Sequence, residues 1–351
     1  MLVKQSLIEI FDRNTGRKKY SFELVNSVVI ESSRNEFTDT CTVILPNRLR
    51  RKNNQIKFEI NIGDRIVINL GYKPDLIKEF DGFVASVDPD SPMTLKCEDQ
   101  MFLLKRKSLD SFVLRDTTLS ELIDKVYTSL LTPEEKELYG ITGEVNLVDA
   151  PIGTFKVDKN QTPVDVFDAL RKNFKVYVYF QEGTLYAHIL LSEQNPKVVL
   201  FDSQKNVPQG TENVNFQTDT DGNIVAYGIS ENKDGTKVEV YAYYKNNLPD
   251  NEVLLTETRP NGTLNTLKVP NRTKDQMSQL IKQWLPNLYY TGAVGDISTF
   301  GSPSIKHGDI AELKNRKFPD RDGRYKITYV SKEFSVANGY KQTVNLGLKV
   351  N

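Results

Sequence analysis

The chain has 351 residues, 46 Lys+Arg balanced by 46 Asp+Glu, and a hydrophobic fraction of 38%. Zero net charge argues against a protein whose main task is coating nucleic acid, and the length exceeds one typical compact domain, so about two to four units are expected. No run of about 18 apolar residues occurs and MLVKQSLIEIFDR has no continuous apolar core, so neither a helical membrane span nor a secretory leader is expected.

In chain order, Ile8 and Ile10 alternate ahead of Asn14-Thr15-Gly16, a hairpin signal, and Tyr20 and Phe22 follow it. Val28 and Ile30 form the next run, and TDTCTVILPN then sets Cys41, Val43 and Leu45 on one face. The most regular stretch comes next: Ile66, Ile68 and Leu70; Phe83, Ala85 and Val87; Met93, Leu95 and Cys97. Gly63-Asp64 precedes it, Gly71-Tyr72 closes its first segment and Asp81-Gly82 opens the second, read as turns because Gly accepts positive φ and Asp caps its own backbone. Residues 1–112 are therefore expected to form a small β-barrel, with Cys41 and Cys97 as two buried free thiols. The basic run Arg48, Arg50, Arg51, Lys52 has no interleaved aromatics and reads as a solvated loop.

From Asp116 the period becomes helical, with Leu119, Leu122, Ile123, Val126, Tyr127 and Leu130 on one face and Thr118 with Glu121 as a capping box. A second helix starts at Thr162-Pro163 and presents Val164, Phe167 and Leu170; KVYVYF and TLYAHIL then flank Gln181-Glu182-Gly183 as a hairpin. Residues 113–200 are expected to be an α+β subdomain. Asp221-Gly222 and Asp234-Gly235 signal two further hairpins. A helix behind a Thr273 cap carries Met277, Leu280, Ile281 and Trp284, placed in an inserted subdomain at 251–300, with Trp284 as a core residue.

The last segment repeats the first. KHGDIAEL restates NIGDRIVINL, with Gly308-Asp309 standing for Gly63-Asp64, and DRDGRYKITYVSKEF restates EFDGFVASVDPD, with Asp322-Gly323 in the place of Asp81-Gly82 and Tyr325, Ile327 and Tyr329 alternating after it. The expected fold class is mainly β with α+β subdomains: two similar small β-barrels per chain, from internal duplication, joined by α+β insertions.

Chemistry-bearing signatures are sparse. The two histidines, His188 and His307, have no local metal spacing. Gly228-Ile229-Ser230-Glu231-Asn232 lacks the second glycine of a nucleophile elbow, and Asp219-Thr220-Asp221-Gly222-Asn223 has its glycine too early for a calcium loop. Asp88 with Asp90, and Glu134 with Glu135, are pairs expected by chance among 46 acidic residues. No catalytic, cofactor-binding or metal residue is assigned, and no enzyme activity is expected.

The motifs TVILPN, GDRIVINLGY, FDGFVASV, TPVDVFDALRKNFKVYVYF and the terminal GRYKITYVSKEFSVANGY with VNLGL resemble the baseplate hub proteins of contractile-tailed phages, the late control D and Mu-type group. The resemblance implies a second barrel split between 201–250 and 301–351, with 251–300 inserted, and a homotrimer whose six barrels form a pseudo-sixfold ring between a hexameric tail tube and a trimeric spike. Its partners are then the tube and spike proteins, with tape-measure protein and DNA passing through the lumen, no cofactor and no stable membrane association. The expected location is the tail baseplate of a virion made in a bacterial cytoplasm. Gly63, Asp64, Gly71, Tyr72, Asp81, Gly82, Gly308, Asp309, Asp322, Gly323 and Tyr325 are then fold determinants. Alternatives are a tail-tip protein of a non-contractile tail, a glycan-binding β module using Tyr243 with Tyr244 or Tyr289 with Tyr290, and a tail-associated hydrolase.

Overall fold

The computed structural model describes residues 3–46, 50–51, 54–55, 59–89, 92–189, 196–203, 205–208, 212–218, 223–232, 235–247, 252–289, 291–316 and 319–350. The first β segment holds β1 (Lys4–Phe11), β2 (Lys18–Phe22), β3 (Ser27–Ser33), β4 (Thr40–Ile44), the short β5 (Arg50–Arg51) and β6 (Asn54–Gln55), β7 (Arg65–Tyr72), β8 (Asp75–Asp88) and β9 (Thr94–Glu98). Alternation does its expected work: Ile8, Ile10, Val28, Val43, Ile66, Ile68, Leu70 and Leu95 are fully buried in one cluster. Cys41 faces Cys97 across β4 and β9, and both are buried free thiols, as expected. Arg48 and Lys52 of the basic run lie outside the described residues.

A short α1 (Met101–Leu104) leads into β10 (Phe112–Thr118), which pairs with β12 (Pro151–Val157). Between them lie α2 (Leu119–Ile123), α3 (Pro133–Tyr139) and β11 (Val145–Leu147). The helix expected from Asp116 starts only at Leu119, because Asp116 to Thr118 belong to β10, and it passes into a π-helical turn at Asp124–Thr128. Its capping box is present, Glu121 N donating to Thr118 Oγ1 at 3.3 Å. After α4 (Pro163–Phe174), β13 (Val176–Gln181) and β14 (Thr184–Ile189) make the expected hairpin, with Glu182 and Gly183 both at positive φ.

Then come β15 (Val198–Asp202) and β16 (Glu212–Thr218), followed by β17 (Ile224–Glu231), β18 (Lys237–Tyr244), β19 (Val253–Thr256), β20 (Thr263–Lys268) and α5 (Lys274–Trp284). The order β19-β18-β17-β20 is a sheet of its own, with α5 packed on it. Its apolar residues share one cluster with those of residues 101–189, for example Met277 and Ile281 with Phe167 and Leu170. Arg272 binds the two parts together, its buried guanidinium donating to Pro151 O and its N–H to Ser230 Oγ at 2.7 Å. Sheet membership thus differs from the expected 201–250 and 251–300 division: β17 and β18 sit with the insert. Only the Gly235 turn joins a hairpin, since β16 and β17 belong to different sheets; Asp221, Gly222 and Asp234 lie outside the described residues. Trp284 is partly buried at the edge of this core.

The chain ends with β21 (Thr291–Phe300), β22 (Ile310–Lys314), β23 (Gly323–Ser335) and β24 (Gly339–Val350). These strands, β15 and β16 form the order β16-β21-β24-β23-β22-β15, around a second cluster that includes Ile297, Ile327 and Val344. The first segment has the order β3-β4-β9-β8-β7-β1-β2. Two closed barrels were expected, but among the described residues neither set closes. Instead β23, along Tyr329–Ser335, pairs antiparallel with β3, and the two sets merge into one 13-stranded sheet. The reason is local: with β4 on one edge and β23 on the other, β3 has no edge left for β2.

A buried polar group ties the joint. Glu79 is the extra residue of a bulge between Ile68↔Phe80 and Asn69↔Lys78, which turns its carboxylate inward, where it has no exposed side-chain surface. It pairs with the Lys332 ammonium and accepts hydrogen bonds from Ser304 Oγ at 2.9 Å and Tyr340 OH at 2.8 Å. Burial pulls the Lys332 pKa down against the opposing pull of Glu79. Replacing one partner leaves a buried charge uncompensated, so Glu79→Leu or Lys332→Met should each cost about 3–5 kcal/mol, and the double variant should recover more than half of the summed loss. Urea unfolding of the four proteins checks this; single variants within 1 kcal/mol of the parent would contradict it.

Candidate functional site: the paired turns and the junction beside them

Two turns, 245 positions apart by the numbering of Gly63 and Gly308, have the same construction. Gly63 lies at φ +91° and Gly308 at φ +88°, the left-handed region that suits glycine. Each following aspartate is buried and its carboxylate accepts from the N–H three residues earlier: Asn61 N to Asp64 and Lys306 N to Asp309, both at 2.9 Å. Gly63 N donates to Val84 O and Val84 N to Asp64 O; Gly308 N donates to Ile327 O and Ile327 N to Asp309 O. The two differ in charge neighbours. Asp64 has Lys19 Nζ at 3.1 Å, whereas burial raises the Asp309 pKa.

The likeness continues downstream. Val84↔Cys97 and Ile327↔Leu346 are each followed by a bulge, before Ser86↔Lys96 and Tyr329↔Asn345. The register sets Gly82 opposite Ile66 and Tyr325 opposite Ala311, so Gly82 corresponds to Tyr325 rather than to Gly323. This corrects the expected match. Asp81-Gly82 is no turn but the middle of the continuous β8, and a Cβ on Gly82 would lie 2.2 Å from Glu98 O, so glycine is required there by close approach. Asp81 instead takes a two-pronged bond from Arg65, at 2.9 and 2.8 Å. Asp322-Gly323 leads from the short helical turn Pro319–Arg321 into β23, with Asn315 N donating to Asp322 Oδ1 at 2.7 Å.

Gly71 is also a strand residue, where a Cβ would lie 2.1 Å from Asp75 O. Tyr72 reaches the other half of the molecule, its OH donating to Tyr340 O at 2.9 Å. Tyr325 is buried edge-on against Phe216, 5.7 Å between ring centres, and its OH donates to Arg321 O at 3.0 Å.

The rejected motifs have structural roles. Ser230 is buried within β17 and accepts from Arg272 N, and Glu135 completes the cap of α3 while pairing with Lys107 at 2.7 Å. Tyr244 and Tyr289 are buried against each other, Tyr243 is half-buried and Tyr290 lies outside the described residues, so these rings form no exposed sugar platform among the described residues. Asp88 is exposed; Asp90, Asp219, Thr220, Asp221 and Gly222 lie outside the described residues. Among the described residues no three His, Cys, Asp or Glu side chains are grouped to hold a metal, and no helix is long and apolar enough to cross a membrane.

Sequence reasoning missed a cavity of about 80 Å³ beside the second turn, whose lining includes the ionisable Asp39, Glu79, Asp99, Lys306, His307 and Lys332. Asp39 N donates to Asp99 Oδ2 at 3.1 Å, and Ser32 Oγ donates to Asp39 Oδ2 at 2.8 Å. Burial raises both carboxyls, Asp39 to about 7, and lowers His307 to about 4, with the Arg34 and Lys306 cations pushing the same way. No local pattern marks these residues, because they meet only through strand pairing and the Lys306-His307 loop.

The two shifts have opposite consequences. Asp39 binds its proton more tightly when folded than at its ordinary 3.8, so its contribution falls as pH rises from about 4 to about 7. His307 resists protonation, so its contribution falls as pH drops from 6.5 to about 4. Relative to the parent, Asp39→Asn should therefore gain stability as pH rises, and His307→Asn as pH drops, by up to about 1.4 kcal/mol per pH unit. Chemical denaturation from pH 4 to 7.5 reads both slopes, and curves parallel to the parent would contradict them.

No family model matches the sequence, and no curated protein does. Solved structures do. A tail protein from Neisseria meningitidis MC58 aligns at 10% identity over 99% of this chain and 96% of its own, with a TM-score of 0.59. The 43 kDa tail protein of prophage MuSo2 from Shewanella oneidensis aligns at 13% identity over 97% of both chains, with a TM-score of 0.52. A chain of the half-lidded Francisella PdpA–VgrG complex aligns at 9% identity over 99% of this chain and 58% of its own, with a TM-score of 0.53. Across nearly its whole length the chain has the fold of these tail and VgrG-complex proteins, in line with its resemblance to tail hubs, though among the described residues it lacks the two closed barrels expected from the sequence.

Proposed function

We propose that the chain is a structural hub of a phage or phage-like contractile tail, with no chemical step of its own. Three copies form a ring around a central channel, and each contributes two similar β units, the products of an internal duplication. Six near-equivalent positions then face a hexameric tube while the true threefold faces a trimeric spike. The observation that carries this reading is the repeated construction of Gly63-Asp64 and Gly308-Asp309, down to the same four hydrogen-bond positions and the same downstream bulge. A turn copied with its buried acceptor, its glycine and its strand register is what a duplicated unit retains when identity has drifted. The fold shared with tail proteins supports the same reading.

In this assembly the paired turns are fold determinants, and tape-measure protein and DNA pass through the lumen. Sedimentation equilibrium across 1–100 µM, concentrations spanning about two decades around common micromolar affinities, should give a species of three times 40.0 kDa. A monomer throughout, in the presence of the cognate tube protein as well, would refute the proposal.

A further inference from the structure

One inward row of the sheet carries both cysteines of the chain. Followed from strand to strand, the row runs Lys332↔Ile30, Ile30↔Cys41, Cys41↔Cys97 and Cys97↔Val84. At one end Lys332 holds the buried Glu79 carboxylate of the joint, and at the other Val84 is clamped by the Gly63-Asp64 turn. The two thiols therefore sit midway between the features that fix the register of the sheet. They are 1% and 2% exposed and share an apolar cluster with Ile30, Val43, Val84 and Leu95.

The register brings them within reach of one another. Leu45 N donates to Met93 O and Asp99 N to Asp39 O, and the β4–β9 ladder runs between these two bonds in one continuous register. Counting in twos along it, Cys41 and Cys97 occupy a hydrogen-bonded pair, whose Cα atoms stand about 5.5 Å apart. Disulfide-bonded cysteines span roughly 4.4–6.8 Å between Cα atoms. Packing alone does not call for sulfur there: Leu346, opposite Ile327 as Cys97 is opposite Val84, fills the matching place in the second half. Burial pushes both thiols up from their ordinary range, and Cys97 adds to the push on Cys41. Neither is ionised in the closed fold at neutral pH, so the reduced pair persists there and exchange proceeds through opening of β4 from β9.

We propose that Cys41 and Cys97 are a thiol–disulfide couple, free in reducing surroundings and joined by a cross-strand bond within the chain when an external disulfide acts as oxidant. Both S–H bonds break, one S–S bond forms, and the two electrons and two protons reduce the external disulfide to two thiols. The bond ties β4 to β9 in the register they already hold. It also fastens the contacts two residues along, Asp39 N to Asp99 Oδ2 and Asp99 N to Asp39 O. The oxidised chain keeps its fold and becomes harder to unfold, because a tie between positions distant in sequence removes freedom mainly from the unfolded chain. The couple does not depend on how many copies assemble.

The test equilibrates the full chain with excess oxidised glutathione, and in parallel with reduced glutathione, in urea just below the unfolding transition, where strand opening is populated. Remaining thiols are then alkylated in denaturant, the peptides are mapped by mass spectrometry, and urea midpoints are measured after removal of the glutathione. Under oxidised glutathione both thiols should disappear together into one Cys41–Cys97 bond within a single chain. The urea midpoint should rise by roughly 0.5–1 M and return on reduction. Because two redox states of one sequence are compared, no substituted chain has to fold. Two thiols still open to alkylation, stable glutathione adducts, bonds between chains, or an oxidised chain with an unchanged or lower midpoint would each overturn the proposal.

Discussion

The structure depends on a strand that changes partners along its length. β23 spends its first residues on β22, meets the Asp309 turn at Ile327, and gives its remaining seven to β3. Two sets of strands that share an order of neighbours thereby become one sheet, with no need for either set to close on itself. The bulge after Ile327 provides the change of direction, since an extra residue bends a strand and increases its twist. Glu79, turned inward by another bulge, reaches Lys332, Ser304 and Tyr340 across the same joint. Hydrogen-bond ladder and buried ion pair hold one seam.

The Gly-Asp turns explain how the sheet keeps that register. A carboxylate buried beneath a turn must find donors, and in both halves it finds the N–H three residues back. The backbone of the same turn then clamps a single residue of the neighbouring strand, Val84 or Ile327. One residue of slippage would flip the apolar face outward and orphan the carboxylate together. Such a device fixes geometry, in keeping with the structural role proposed above.

Much of this was legible in the sequence because it is local. Alternation named most of the buried residues of the first segment, Thr118, Thr162 and Thr273 marked helix starts, and Gly63-Asp64 with Gly308-Asp309 marked true turns. What was not legible is long-range. Nothing near Ser27–Ser33 announces a partner three hundred residues away, so barrels were expected where the sheet continues. Asp81-Gly82 was read as a turn because the dipeptide serves both turns and close approaches, and only the neighbouring Glu98 carbonyl decides between them. Glu79 beside Lys78 looks like a solvated pair, and a bulge that buries one of them leaves no trace in the period.

In the proposed assembly one chain presents two similar units and three chains present six. Electron-microscope projection averages of the purified protein down its ring axis test it most directly. A closed ring with threefold symmetry and six lobes of similar size around an open centre is expected. A ring with three lobes, or one in which alternate lobes differ grossly in size, would contradict it.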